Sequence, residues 1–285
     1  MRRTITFKGN PLTLVGRSVE EADVAPDFKV LSGDLKEVRL SQFKDLVKII
    51  TSFPSLDTPV CDMQVKEFNT RATSLSDEVV VLGISNDLPF AQKRFCEDND
   101  ITRVAVLSDY RYSSFGINYG LLIKELKLLA RAVCILDRSN IIRYIQIVGE
   151  LTAPPDYDRA MAHLREVIAK PAPRAGGAQP ARCAPCEGGI TPLPRDAAER
   201  SAARIKGWEL VEGVKLKKEF TFKDFAEAKY FLDLLAMVAE DQGHHPVMTL
   251  GYNRVRVTLT THAAGGLTEN DFIMAGIIDE IRTDQ

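Results

Sequence analysis

Apolar residues are distributed in two ways along this chain. In the first half they come as short continuous runs, at Leu46 to Phe53, Val79 to Ser85, Val104 to Leu107 and Arg131 to Leu136. Runs of that length, bounded by polar residues, predict strands buried on both faces. Residues 2 to 7 alternate, Lys8 to Pro11 reads as a turn and Leu12 to Val15 returns, which predicts an opening hairpin. Shorter strands are expected at Phe28 to Leu31, Val38 to Leu40 and Ile141 to Val148. Helices are expected from Pro59, from Pro89 to Asp98 and from Asp156 to Ala169. Strands alternating with helices predict an α/β layer structure over residues 1–169.

Residues 170–189 lose this periodicity and are rich in Pro, Ala and Gly, so they read as a linker and the start of a second module. Beyond them, over residues 190–285, the pattern predicts a helix at Pro194 to Ile205 and strands at Trp208 to Val211 and Lys215 to Phe222. Phe225, Ala228, Leu232, Leu235 and Ala239 recur at helical steps and mark one long helix ending near Gly243. Val247 to Leu250 is a further strand, Arg254 to Thr261 alternates with Val255, Val257 and Leu259 on one face, and a last helix starts at Thr268. That order predicts an α+β domain, a four-stranded antiparallel sheet with helices on one face.

Composition narrows the classes. At 285 residues, with 45% hydrophobic and 27% charged positions, the chain is an ordinary globular one of two-domain length. A formal net charge of -2 argues against a nucleic-acid or membrane-surface role. No stretch is long and apolar enough to span a bilayer, and the first residues lack a signal-peptide core, so a cytoplasmic location is expected. Five cysteines in so long a chain do not make a disulfide scaffold; a disulfide here is expected to be transient and catalytic.

The candidate chemistry of the first domain lies where the strand Leu46 to Phe53 runs into a helix. Thr58 is placed as N-cap, its hydroxyl accepting from an orphan amide, and Pro59 at the first helical position, which sets Cys61 inside the first turn. Free N–H groups and the positive end of the helix favour the thiolate there, the reactive form of the side chain. The plain alternative is an inert structural cysteine. Pro54, Thr58 and Cys61 fall as P-x-x-x-T-x-x-C, and Ser-Leu-Asp-Thr-Pro-Val-Cys-Asp resembles the thiol peroxidase branch of the peroxiredoxins. The resemblance implies a thioredoxin-like fold and reduction of hydrogen peroxide and organic hydroperoxides by Cys61. It also implies Arg131 as the cation at the site, Pro54 lining it, and Cys96 as the thiol that resolves the sulfenic acid to an intrachain disulfide, reduced in turn by thioredoxin. Thiols on two separate helices are often too far apart to bridge without backbone movement, so local unwinding at both helix ends is expected during turnover. Cys134, inside an apolar run, reads as a core residue.

The second domain concentrates histidine. Of four in the chain, His244, His245 and His262 fall close together. Glu240-x-x-x-His244-His245-Pro246, followed by Tyr252, His262 and Asp271, is similar to the signature of pterin-4a-carbinolamine dehydratases, as is the stretch from Cys183 to Gly189 with Gly207-Trp208. Expelling water from a carbinolamine needs one proton delivered and another removed, and imidazole does both near neutral pH. Strand alternation places His262 on the polar face with Arg256 and Thr258. The resemblance assigns His244 and His262 to acid–base work and Glu240, His245, Pro246 and Asp271 to holding the pterin, a substrate, with no cofactor bound. Asp271 reads equally as the end of a capping box begun by Thr268. Three histidines with Cys183 and Cys186 could instead hold a metal, but no second ligand pair completes a recognised spacing, so no metal site is expected. Cys183 and Cys186 lack a redox strand–helix context and read as structural or incidental, not as a second redox centre. A homo-oligomer is implied, and a pterin-dependent aromatic amino-acid hydroxylase is a candidate partner. In the alternative reading the second domain is a non-catalytic oligomerisation or binding module.

Overall fold

The structure is a computed structural model, and it describes residues 4–169, 183–184 and 191–281. The chain divides into two compact units, residues 1–180 and 181–285. Most of the stretch expected to be a linker, 170–189, lies outside the described residues, as does Cys186; Cys183 and Ala184 are described and belong to the second unit.

The first unit opens with the expected hairpin, β1 (Thr4–Phe7) and β2 (Asn10–Val15). Its main sheet is built from β3 (Lys29–Leu31), β4 (Glu37–Arg39), β5 (Val47–Ser52), β6 (Val79–Ser85), β7 (Ala105–Ser108), β9 (Ala132–Leu136) and β10 (Ile142–Ile147), in the order β10-β9-β5-β6-β7-β3-β4. The three central strands β5, β6 and β7 are parallel; β9 and β3 flank them antiparallel, and the edge strands β10 and β4 pair antiparallel with β9 and β3. Strand β8 (Leu122–Ile123) pairs instead with β2. Helices α1 (Pro59–Ala72), α2 (Pro89–Asp98) and α4 (Tyr157–Ala169) connect or close this sheet.

The continuous apolar runs have the physical meaning expected of them. All six residues of β5 are buried, and they feed two separate cores: Val47 and Ile49 pack with Val65 and Phe68 of α1 and Leu164 of α4, while Ile50 packs on the other side with Leu82 and Ile84. A strand covered on both faces has no wet side to alternate with.

Two elements lie in a stretch where the apolar pattern predicts none, β8 and the short helix α3 (Ser114–Asn118). All five residues of α3 are buried, so the segment shows no amphipathic period. It is tied down instead by Asp109, whose carboxylate accepts from the Phe115 and Gly116 N–H groups at 3.0 and 2.8 Å.

The second unit holds a four-stranded antiparallel sheet of β11 (Glu209–Val211), β12 (Lys215–Thr221), β13 (Val247–Leu250) and β14 (Arg254–Leu259), ordered β11-β12-β14-β13. Helices α5 (Arg195–Ala202), α6 (Phe225–Gln242) and α7 (Glu269–Glu280) complete it, with α6 and α7 packed against β14. On β14, Val255, Val257 and Leu259 are buried and Arg254 and Arg256 exposed, as the alternation predicts. The buried stripe of α6 runs through Ala228, Phe231, Leu234, Leu235, Val238 and Ala239, whereas Phe225, expected on that stripe, is exposed in the first turn. No described helix is long and apolar enough to cross a membrane.

Candidate active sites

Strand β5 delivers the chain through Phe53 and the buried Pro54 into a loop, and α1 begins at Pro59 with Thr58 as its extended N-cap. The Thr58 hydroxyl does not cap the helix, which corrects the expectation. It sits 3.0 Å from the Ser55 carbonyl and 2.8 Å from Cys61 Sγ. With a neutral thiol, S–H can donate to Oγ1 while the hydroxyl donates to the carbonyl; with a thiolate, the hydroxyl proton can turn to the sulfur. The sulfur thus takes the hydroxyl that the helix end would otherwise use.

Cys61 is fully buried, and so is Arg131, which immediately precedes β9. The guanidinium reaches the sulfur with Nη2 at 3.4 Å. Its Nε and Nη2 also donate to the Leu151 carbonyl at 3.3 and 3.0 Å, and Nη1 donates to Gln64 Oε1. Among the described residues Arg131 has no carboxylate partner. A buried cation is costly unless an anion answers it, and the Cys61 sulfur is the group within its reach that can become one.

Gln64 is a site residue that motif reasoning missed. It lies one turn after Cys61 on the buried face of α1, and its Nε2 is held by Thr51 Oγ1 at 2.5 Å and the Ser52 carbonyl at 3.2 Å, which turns Oε1 toward Arg131. The available signal was a polar residue within the stripe Cys61, Val65, Phe68, Ala72.

Cys96 lies in α2, half-buried against the core cluster that contains Cys61. Both are free thiols in intact helices. Burial, with a smaller contribution from the Glu97 carboxylate, pushes the Cys96 thiol up to about 11. Cys134 is buried in β9, and burial raises its thiol far out of the reactive range. These are the marks of a core residue.

In the second unit α6 ends at Gly243, whose φ of 63° turns the chain back, and this places the His244 ring inside the protein. His244 Nε2 lies 2.8 Å from Asp271 Oδ1. Asp271 is fully buried, and its Oδ2 accepts from Thr261 Oγ1 and from the Thr268 N–H, each at 2.8 Å. Both readings of Asp271 are thus narrowed: the carboxylate completes the capping interaction at the start of α7 and orients His244, and neither oxygen is left facing solvent. While Asp271 is ionised it holds the proton on Nε2 of that imidazole. One carboxylate therefore joins the end of α6, the segment after β14 and the start of α7.

His262 is not on the polar face of a strand, which is a second correction. Strand β14 ends at Leu259, Thr261 turns its hydroxyl in to Asp271, and His262 opens an exposed 3-10 turn over His262–Ala264. His245 is exposed, with Nε2 at 3.1 Å from the exposed Glu240 carboxylate, and Pro246 is buried between the paired histidines and β13. Tyr252 is exposed in the turn before β14. Cys183 is buried with Sγ 3.5 Å from the Asn270 carbonyl, and the Asn270 side chain pairs with the backbone of Ala184 in both directions at 2.8 Å. Among the described residues no group of three or more His, Cys, Asp or Glu side chains is arranged to hold a metal ion.

Comparison with known proteins gives two separate matches. Residues 20–161 match the Redoxin family, and residues 191–281 match the family described as Pterin 4 alpha carbinolamine dehydratase. A thiol peroxidase of Oceanobacillus iheyensis is 47% identical over 162 residues, 57% of this chain and 98% of that protein. Among solved structures, a peroxiredoxin-like protein from Aquifex aeolicus is 43% identical and covers 58% of this chain and 97% of its own, with a TM-score of 0.55. A transcriptional coactivator/pterin dehydratase from Brucella melitensis is 37% identical over 31% of this chain and 96% of its own, with a TM-score of 0.30.

Proposed function

This chain belongs to the thiol peroxidase family and carries a pterin-4a-carbinolamine dehydratase domain in residues 191–281, and on that premise we propose that both sites are active in one bifunctional enzyme. The boundaries proposed are a peroxidase over residues 1–169 and a dehydratase over residues 190–285. The observation that carries the first activity is the buried Arg131, without a carboxylate partner among the described residues, 3.4 Å from Cys61 Sγ.

The Cys61 thiolate attacks one oxygen of hydrogen peroxide or an organic hydroperoxide, the O–O bond breaks, and the other oxygen leaves as water or alcohol. Arg131 and the Thr58 hydroxyl hold the anion and the charge growing on the leaving oxygen, and Pro54 shapes the pocket. The resulting sulfenic acid condenses with Cys96 to a disulfide that thioredoxin reduces. Half-buried in an intact helix, the Cys96 thiol is pushed up to about 11, which cuts its thiolate far below that of an exposed cysteine, so α2 unwinds to free it before it reacts.

In the second unit, His244 and His262 move the protons that convert a 4a-hydroxytetrahydropterin to the quinonoid dihydropterin and water, with Asp271 orienting His244. His245, Glu240 and Pro246 hold the pterin, with helices covering one face of the sheet behind them. The pterin is a substrate, and neither activity calls for a bound cofactor. A cytoplasmic homo-oligomer working beside a pterin-dependent hydroxylase would meet both a carbinolamine and leaked peroxide.

Crossed variants of the full chain test this. Cys61→Ser should abolish peroxide reduction and leave dehydration intact; His244→Ala with His262→Ala should do the reverse without altering assembly. Loss of both activities in either variant, or no dehydration by the parent chain, overturns the bifunctional reading.

A further inference from the structure

Helix α2 carries Cys96 yet is weakly seated by apolar contacts. Of its ten residues Pro89 and Gln92 alone are buried, and Phe90 is 63% exposed. Much of its seating is polar. Gln92 sends Nε2 to Ser85 Oγ at 3.0 Å and to the Leu107 carbonyl at 2.9 Å. A carbonyl can only accept, so the amide orientation is fixed, and Oε1 is left buried without a hydrogen-bond partner among the described residues. That orphan oxygen disfavours the seated helix, because water would satisfy it on release.

Asp87, just ahead of the helix, binds in the opposite direction. Its Oδ1 accepts from Ser55 Oγ at 2.7 Å, its Oδ2 accepts from the Leu56 N–H and from Ser85 Oγ at 2.8 Å each, and its carbonyl accepts from Ser108 Oγ. Ser55 and Leu56 belong to the loop that leads to Cys61. One carboxylate therefore ties the entrance of the Cys96 helix to the loop in front of the reacting sulfur.

We propose that Asp87 and Gln92 form a latch that sets how readily α2 releases Cys96, and so decides between disulfide formation and over-oxidation of Cys61. The inference rests on the peroxidase reading above. With α2 released, the Cys96 thiolate attacks the Cys61 sulfenic sulfur: the S–S bond forms, the S–O bond breaks, and the departing hydroxide takes a proton to become water. With α2 seated, the Cys61 sulfenate sulfur attacks a second hydrogen peroxide instead: the O–O bond breaks, sulfur gains an oxygen as sulfinate, and the other oxygen leaves as water. Both residues act through the position of α2, so they are positioning residues.

The test uses the full chain with hydrogen peroxide, following sulfenic acid, disulfide and sulfinic acid on Cys61 by rapid quench and mass spectrometry. Asp87→Ala should leave sulfenic acid formation within about threefold of the parent, speed disulfide formation by about tenfold or more, and lower the sulfinic fraction to match. Gln92→Ala relieves the orphan oxygen but loses two hydrogen bonds and its buried volume, which together outweigh that relief, so it should shift the rates in the same direction by less, and Asp87→Asn, which keeps one accepting oxygen, should fall between. Amide hydrogen exchange should quicken across residues 91–98 while α1 keeps its protection. If Asp87→Ala does not fold, the other two variants carry the test. Unaltered disulfide rates in variants that still form sulfenic acid, or protection lost evenly across the unit, would overturn the latch alone. No sulfenic acid on Cys61 of the parent chain would overturn the peroxidase reading and the latch with it.

Discussion

Replacing Arg131 by Met asks how much of the reactivity of Cys61 comes from one buried cation. A unit charge 3.4 Å from the sulfur attracts a thiolate by about 5 kcal/mol at an effective dielectric of about 20. The negative charge persists as it passes from sulfur to the leaving oxygen, so part of this attraction is already present before reaction and does not appear in the rate. Removing one preorganised donor from a developing oxyanion costs about 10²–10³ in rate, and that is the expected fall in the second-order rate constant for peroxide. The substitution also leaves the Leu151 carbonyl and Gln64 Oε1 without their donor, at about 1–3 kcal/mol each, so a weakened but folded protein is expected. Arg131→Lys separates the contributions: it keeps the charge but cannot reach Gln64, Leu151 and sulfur together, and should recover only part of the rate. The assay is stopped-flow oxidation by hydrogen peroxide in single turnover, with circular dichroism and a denaturation curve on the same samples. A folded Arg131→Met protein that reacts within threefold of the parent would refute the role given to this cation.

The Cys96 thiol offers a pH test. Its value is raised in the folded protein from an ordinary 9.0 to about 11, so the neutral thiol favours seated α2, and that contribution is complete below about pH 9 and lost as pH rises through about 11. Disulfide formation should therefore accelerate nearly tenfold per pH unit and keep climbing to about pH 11; a plateau near pH 9 would mean that Cys96 already stands outside its packed site before it titrates, and would contradict the seated resting state. In the second unit, Asp271→Asn should cut the turnover number for dehydration by at least about tenfold, because His244 loses the carboxylate that orients its imidazole, and it should lower the unfolding midpoint by unpairing Thr261 and Thr268. Unaltered turnover in a folded Asp271→Asn protein would remove His244 from the chemistry.

What the sequence made legible follows from where the physics is local. Strand β5 and the start of α1 could be read directly, because continuous apolar runs and a Thr-Pro helix start act within a few residues. The partners of Cys61 come from distant parts of the chain: Arg131 was named through a family likeness, and the role of Gln64 depends on Thr51 and Ser52 across the β5–α1 corner. Thr58 misled because its hydroxyl has two possible uses, and a sulfur, not a helix amide, takes it. His262 was placed on a strand by extending an alternation three residues too far, past the point where Thr261 turns in toward Asp271. The wholly buried α3 gave no period to read.

The most direct measurement adds one equivalent of hydrogen peroxide to the fully reduced chain and maps the product by intact mass and peptide mass spectrometry. The account predicts two thiols lost per peroxide and a single bond joining Cys61 to Cys96, with Cys134 and Cys183 still free. An unmodified Cys61, or a bond from Cys61 to any other cysteine, would contradict it.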